Sequence, residues 1–476
     1  AAALAHAETS RLHIFHHENV LGSSLELKIA ASTESAAAQA ESAALAEIDR
    51  VARIISTYDS SSDFWRWFKT RQQPVNIAPE LTDVFVLYDH WQASSDGALN
   101  AGAEAVSQVW KKAELARRLP QQDEIDSAVA TARGPHWKVD ASARTVTHLT
   151  PTPLSLNALG KGYIIGRACE AALKVTGVSG SVVNIGGDLA VRGDLNEPVE
   201  ISNPLDDAEN AKPVAHITVR DQAVATSGNY RRGVAIAARH FSHIVDPRTG
   251  QPVDHVISAT AVAPKAADAD ALATIFSVLK PEESLRLAAT LPGVECLLIT
   301  KDGGRIVSRG WSRLETPLQL AAAGDVHLGT EKPSAAPRSG AWDDTCELVI
   351  SFEIARPPGR SPRPFVAAWI EDKDRFPVRT LALWYRGDRW LPDLRSWYQG
   401  DQLRALAEGT SITASVSSAT RSPGKYTLKW DGRDSAGKPV KPGKYTVLLE
   451  AAREHGTHQL MKHEMDFSGK PQHVDL

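Results

Sequence analysis

The sequence predicts an α+β unit over residues 1–320 and an all-β sandwich over residues 345–476, joined by a linker at 321–344. Three observations lead there. Stretches of helical period and β-rich runs are interspersed up to about residue 320. Residues 321–344 then read AAAGDVHLGTEKPSAAPRSGAWDD, with no periodicity and many breakers. Six of the twelve tryptophans lie beyond residue 341, among short alternating runs such as Leu348 to Ile354, Phe365 to Ile370 and Leu381 to Tyr385. There PGKYT occurs twice, at Pro423 and Pro442, each time opening a β-rich run, which is the rhythm of a sandwich. A length of 476 residues suits two or three units.

Apolar residues make up 42% and charged residues 23%, an ordinary globular balance, and a net charge of −4 argues against non-specific nucleic-acid binding. Three cysteines (Cys169, Cys296, Cys346) in no CxxC or His-flanked spacing indicate neither a disulfide framework nor a zinc site. The start, AAALAHAETS, looks like the small-residue end of a secretory signal, with Ala-Leu-Ala or Ala-His-Ala as a cleavage site, so the chain is expected to be exported; an Ala-rich frayed start is the other reading. No run approaches the roughly 18 apolar residues of a membrane span.

Leu12 to Ile29 alternates loosely and predicts two strands around Gly22-Ser23-Ser24. Leu45, Ile48, Ala52 and Ile55 form one helical stripe that ends near Ser56. The polar run Thr57 to Asp63 then makes a loop or a new N-cap. Tyr58 in that loop either stacks on a planar ligand or is partly buried. Residues 79–119 read as helix interrupted at Ser94-Ser95-Asp96-Gly97, and 134–150 as strand and turn. From Ser155 a short extended piece leads through Gly160-Lys161-Gly162 into an apolar helix; this is a plain strand-to-helix turn or, through helix-start amides and Lys161, an anion site. Gly186-Gly187-Asp188 breaks a buried strand, as a bulge or a close approach. AVATSGNYRR from Ala223 is a strand ending in a polar turn.

Phe241 to Thr274 concentrates the chemistry. His243, Asp246 and Arg248 crowd a Pro-containing turn, Val256 to Ala263 is a strand ended by Pro264, and a helix holding Asp270 and Thr274 follows to about Leu279. Oxygen donors four residues apart share a helical face and suit a hard cation. Asp268, two residues earlier, points away and reads as a solvated or capping carboxylate. Pro281 starts a further helix, and Val294 to Thr300 with Lys301-Asp302-Gly303-Gly304 opens a hairpin.

Six motifs in order now carry a resemblance: Ser56-Thr57-Tyr58, LGKGY from Leu159, NIGGD from Asn184, ATSGNYRR from Ala225, HIVDPRTG from His243 and DALAT from Asp270. Residues 1–320 resemble the FAD:protein FMN transferases of the ApbE family. The resemblance implies an enzyme that works outside the cytoplasmic membrane, in the periplasm, with FAD as substrate and a divalent metal, normally Mg2+. It transfers FMN to a Thr or Ser hydroxyl of an acceptor protein and releases AMP. It further implies Asp270 and Thr274 as side-chain metal ligands and Ala158 as a carbonyl ligand. FAD contacts are implied at Leu21, Tyr58, Ala98, Leu99, Asn100, Ser155, Lys161 and Val245, and His243 is the candidate proton acceptor. Arg231 and Arg248 are further candidates for anion contacts. A metal-dependent FAD pyrophosphatase and a non-catalytic FAD-binding scaffold are the alternatives.

Some positions depart from the family's usual pattern. Val20-Leu21-Gly22-Ser23 replaces Met-Gly-Thr, and Asn100 and Ser155 stand where Asp is usual, so two carboxylates near the FAD are missing. Altered FAD affinity is expected before lost chemistry. The C-terminal unit resembles the DUF2271 type and, through WDGRDSAGKPVKPGKYTV, immunoglobulin-like modules in general. Asp431 and Asp434 there read as turn formers and not as calcium ligands. Acceptor motifs for FMN transfer end in something like Ser/Thr-Gly-Ala-Thr. Ser417-Ser418-Ala419-Thr420 is either an in-built acceptor or plain loop.

Overall fold

The computed structural model describes residues 10–229, 233–237, 239–316, 347–356, 363–385, 388–408, 417–418, 420–453, 457–467 and 473–474. The signal-like start up to residue 9, Arg231, the linker at 321–344, Cys346 and Ala419 lie outside the described residues. The chain divides into two compact units. One comprises the chain up to Phe15 with Val20–Leu205 and Ala215–Thr316, and the other His16–Asn19, Asp206–Val214 and the chain from Pro317.

The first unit is built on eight strands: β1 (Arg11–Val20), β2 (Ser23–Ala31), β3 (Val178–Ile185), β4 (Asp188–Gly193), β5 (Ala223–Gly228), β6 (Val256–Ala263), β7 (Glu295–Thr300) and β8 (Arg305–Val307). They lie side by side in chain order, antiparallel from β2 to β8. Between β2 and β3 come six helices: α1 (Glu34–Ile55), α2 (Asp63–Phe68), α3 (Pro79–Ser94), α4 (Ala103–Leu115), α5 (Gln122–Arg133) and α6 (Asn157–Leu173). Between β6 and β7 come α7 (Ala266–Val278) and α8 (Pro281–Thr290). The sheet and α1, α6 and α7 share one core, and β6 is buried along nearly its whole length.

Local chemistry sets these elements. Thr33 starts α1 by accepting the Ala36 amide at 3.1 Å, and Glu34 sits in the first turn where the helix end is positive. The buried stripe of α1 is Ala37, Ala40, Ala44, Ile48, Val51 and Ile55. Leu45 and Ala52, placed on the stripe by sequence, are only partly buried. The alanine face lies inward because small side chains allow close approach to α6. Ser62 caps α2, which brings Trp67 onto Phe85 at a centroid distance of 4.5 Å.

Two glycine readings are corrected. Gly160-Lys161-Gly162 lies inside α6 and does not form a turn ahead of it. A Cβ on Gly162 would stand 2.3 Å from the Ala266 carbonyl oxygen, so the glycine is there for helix contact with α7. Gly186 and Gly187, with φ of 62° and 96°, form the two-residue turn between β3 and β4, a hairpin and not a bulge, while the close approach is found at Gly186, where a Cβ would stand 2.4 Å from Ser23 Oγ.

The second unit has seven strands: β9 (Leu348–Ile354), β10 (Phe365–Glu371), β11 (Pro377–Trp384), β12 (Ser417–Ser418), β13 (Gly424–Trp430), β14 (Gly443–Ala452) and β15 (His458–Phe467). They form a five-stranded sheet in the order β12-β11-β10-β14-β15 and a two-stranded β9-β13 pair. Both PGKYT motifs open strands, and the Asp434 carboxylate accepts the Ala436 and Lys438 amides at 2.9 Å, as a turn former does. The all-β expectation is corrected by α9 (Arg395–Glu408). One face of the larger sheet packs on the β9-β13 pair, while the other is covered by Leu391, Leu394 and Trp397 at and before the start of α9. Helical periodicity is weak there because α9 buries the ion pair of Asp401 and Arg404. Thr420 is 2% exposed, and its hydroxyl donates to Glu18.

Candidate functional site

Pro264 ends β6, and α7 carries Asp270 and Thr274 one turn apart. Asp270 is buried, and its Oδ2 accepts the Gly162 amide at 2.8 Å. In a regular helix that amide serves the carbonyl of Ala158, so the carboxylate and that carbonyl converge on one N–H. Thr274 is half-buried, with Oγ1 3.4 Å from Ser227 Oγ at the end of β5. One turn of α6 beyond Ala158, Lys161 forms an ion pair with Asp188, the first residue of β4. The other Asp188 oxygen accepts the Thr226 amide at 3.0 Å.

Burial, and then the neighbouring Asp188 carboxylate, push the Asp270 carboxyl up to about 7, against Lys161 and the Gly162 amide. Two carboxylates share this interior with one lysine, which is an environment short of positive charge. Asp270 and Thr274 offer oxygen donors here, the type that a hard divalent cation takes. Among the described residues, no group of three or more His, Cys, Asp or Glu could hold a metal. Asp188 was read from sequence only as part of Gly186-Gly187-Asp188 and NIGGD, with no role of its own; its signal is an acid directly after a glycine pair in an apolar run.

The other predicted residues distribute as follows. Tyr58 is 83% exposed, and its hydroxyl accepts from Asn157 Nδ2 at 2.6 Å, so it is an available ring at the start of α6 and not a buried loop tyrosine. Ser155 accepts the Asn157 amide through Oγ at 3.4 Å and donates its own amide to Ala101, tying the Ala98–Asn100 segment to α6. Ala98 and Leu99 are core residues, which leaves their backbone for any ligand. Asn100 is used at both ends: Nδ2 donates to Ala132 O at 2.9 Å and Oδ1 accepts the Gly102 amide at 2.7 Å. Leu21 sits at the tip of the β1–β2 hairpin with φ of 50°, and the Gly186 amide reaches Ser24 O beside it.

His243 is exposed and follows the ribbon of Gly233–Ile236 paired with Arg239–Ser242. Val245 is buried and bridged to Pro252. Arg248 is held by Asp246 through bonds of 2.9 and 2.8 Å, so its guanidinium is committed within the turn. Asn229 Nδ2 donates to the carbonyls of Val253 and Val256, which ties this loop to the end of β5 where Ser227 lies. Asp268 accepts from Trp91 Nε1 at 3.0 Å and is neither solvated freely nor a cap. A cavity of about 450 Å³, lined by Asp89, Asp96, Arg133 and His136, shares Asn100 and Arg248 with these positions.

The family model described as "ApbE family" matches residues 21–298, and that described as "Predicted periplasmic protein (DUF2271)" matches 347–476. The FAD:protein FMN transferase of Escherichia coli (strain K12) is 27% identical over 268 residues, covering 54% of this chain and 75% of that protein. That of Klebsiella pneumoniae (strain 342) is 29% identical over 271 residues, covering 54% and 76%. In fold, the chain resembles the ApbE protein of Thermotoga maritima, with a TM-score of 0.57 at 22% identity over 64% of this chain and 100% of that one. The flavin transferase ApbE of Vibrio cholerae follows, with a TM-score of 0.53 at 20% identity over 64% and 99%. The chain belongs to the ApbE family.

Proposed function

We propose that this chain transfers FMN from FAD to a Thr or Ser hydroxyl of an acceptor protein, releasing AMP, in a magnesium-dependent reaction in the periplasm. The observation that carries the reading is the buried Asp270 carboxyl, joined to α6 through the Gly162 amide and lying beside the Lys161–Asp188 pair. The curated relatives named FAD:protein FMN transferase and the periplasmic description of the second family support the activity and the compartment.

Asp270, Thr274 and the Ala158 carbonyl would hold the metal, which when bound neutralises charge on the pyrophosphate oxygens. Lys161 binds those same oxygens, and Tyr58 stacks on a ring of FAD. Leu21, the backbone of Ala98, Leu99 and Asn100, Ser155 and Val245 line the dinucleotide. The acceptor hydroxyl oxygen attacks the FMN-side phosphorus while the bond from that phosphorus to the oxygen of AMP breaks. The hydroxyl proton passes to His243, an imidazole suited to accepting it near neutrality. The acceptor is read as a separate protein, because Thr420 is buried with its hydroxyl engaged.

The test incubates the full chain with FAD, magnesium and a small domain bearing Ser-Gly-Ala-Thr. In-gel flavin fluorescence and the released nucleotides are read together. A labelled acceptor with AMP is expected. AMP and FMN without labelling would mean hydrolysis, and bound intact FAD a scaffold. Asp270→Ala should abolish turnover, and unchanged activity in that variant would sink the metal assignment. Peptide mass mapping should find no FMN on Thr420.

A further inference from the structure

Lys161 and Asp188 are exposed to different degrees. The lysine side chain is 35% exposed and the aspartate 8%, so the ammonium faces outward while the carboxylate works from behind it. Asp188 is itself held from two sides. It sits directly after the Gly186-Gly187 turn, in register with Ile185, and its second oxygen is fixed by the Thr226 amide. A lysine ammonium is a compact charge on a flexible four-carbon stem, and without an anchor it spreads over many rotamers. One of its protons meets Asp188, which leaves the others for an anion in front.

Resting on the transfer reaction proposed above, we propose that Asp188 is a positioning residue for it, fixing the Lys161 ammonium at the place where charge develops on the pyrophosphate. No bond or proton changes hands at Asp188. A mobile cation still attracts a bound pyrophosphate, but a fixed one is worth more in the transition state, because no reorganisation is needed as charge builds. Asp188 also repels the bound anion, so losing its charge does not weaken FAD binding in the ground state. The signature is therefore a fall in kcat without a matching rise in KM, whereas removing the lysine raises KM as well.

The full chain, FAD, magnesium and the Ser-Gly-Ala-Thr domain give kcat and KM from AMP release. Asp188→Asn keeps an oxygen for the Thr226 amide; it is expected to lower kcat by about tenfold or more with KM for FAD raised no more than about threefold. In the Lys161→Met background the same substitution should cost nothing further. Without FAD or metal, Asp188→Asn should speed modification of Lys161 by an amine reagent, read by peptide mass spectrometry. Additive losses, a kcat within about twofold of the parent, or unchanged Lys161 labelling would each overturn the proposal. Should Asp188→Asn fail to fold, Asp188→Glu moves the carboxylate by one methylene: a kcat loss that vanishes in the Lys161→Met background supports the proposal, and parental kcat overturns it. A parent chain that releases no AMP overturns the transfer reading and this inference with it, and is told apart from an active parent that is indifferent to Asp188.

Discussion

At Asn100 the amide is used at both ends, and that decides which residue can stand there. Ala132 O takes its proton from Nδ2, with His136 Nε2 also 3.0 Å away, and Gly102 gives its amide to Oδ1. An ionised aspartate has no proton for Ala132, so Asn100→Asp should cost about 1–3 kcal/mol in stability, read in denaturant melts. A gain in stability would show that the amide's donor end is idle. Asp270 sets a pH dependence. Its carboxyl stands at about 7 when folded, against about 3.9 in an unfolded chain. The stabilisation is complete below the unfolded value and is lost as pH rises through the folded one. Freed of divalent cations, the chain should therefore melt higher at pH 6 than at pH 8, and Asp270→Asn should narrow that gap. Thermal melts in chelator test both. The sequence spacing of Asp270 and Thr274 shows their shared helical face, but the identity of Asp188 as the partner of Lys161 depends on a strand pairing no local pattern contains.

The α6–α7 contact shows the same division at the level of elements. That Gly160-Lys161-Gly162 precedes or lies within a helix is undecided locally, since glycine favours both a turn and close packing. The contact with Ala266 decides it. A Cβ at Gly162 would also lie 2.7 Å from Asp270 Cβ, so Gly162→Ala must part the two helices and move the carboxylate. A loss of about 1–3 kcal/mol with collapse of AMP release is expected. Gly166→Ala, whose Cβ would meet Ala266 Cβ at 3.6 Å, should be neutral or stabilising by up to about 1 kcal/mol, since alanine favours helix. Equal melting temperatures for the two variants would refute the contact as the reason for Gly162. Helices with strong caps and stripes, such as α1, and strands bounded by proline, such as β6, are legible from sequence. The phase of α1 is not, because an alanine face carries little hydrophobic signal. Nor is α9, whose buried Asp401 and Arg404 look like surface residues.

The two units have separate cores, and each has its own buried polar anchor. In the second, Glu450 is fully buried in β14 and receives the Ser396 and Trp397 amides at 3.0 and 2.9 Å, with His458 Nε2 at 2.6 Å. Those amides belong to the first turn of α9, where the helix end has unpaired donors and a positive dipole, so one carboxylate from the sheet starts the helix. Glu450→Gln replaces one accepting oxygen by an NH2 group that faces a donor. The charge-assisted bonds are lost for about 1.5–3 kcal/mol, and α9 loses its tie to the sheet while the strands beneath remain paired. In the full chain, hydrogen exchange should accelerate along α9 and leave β2–β8 unchanged, with FAD binding as in the parent. Exchange that rises equally in β2–β8 would mean that the two cores melt as one and that the anchor is not local to the second unit.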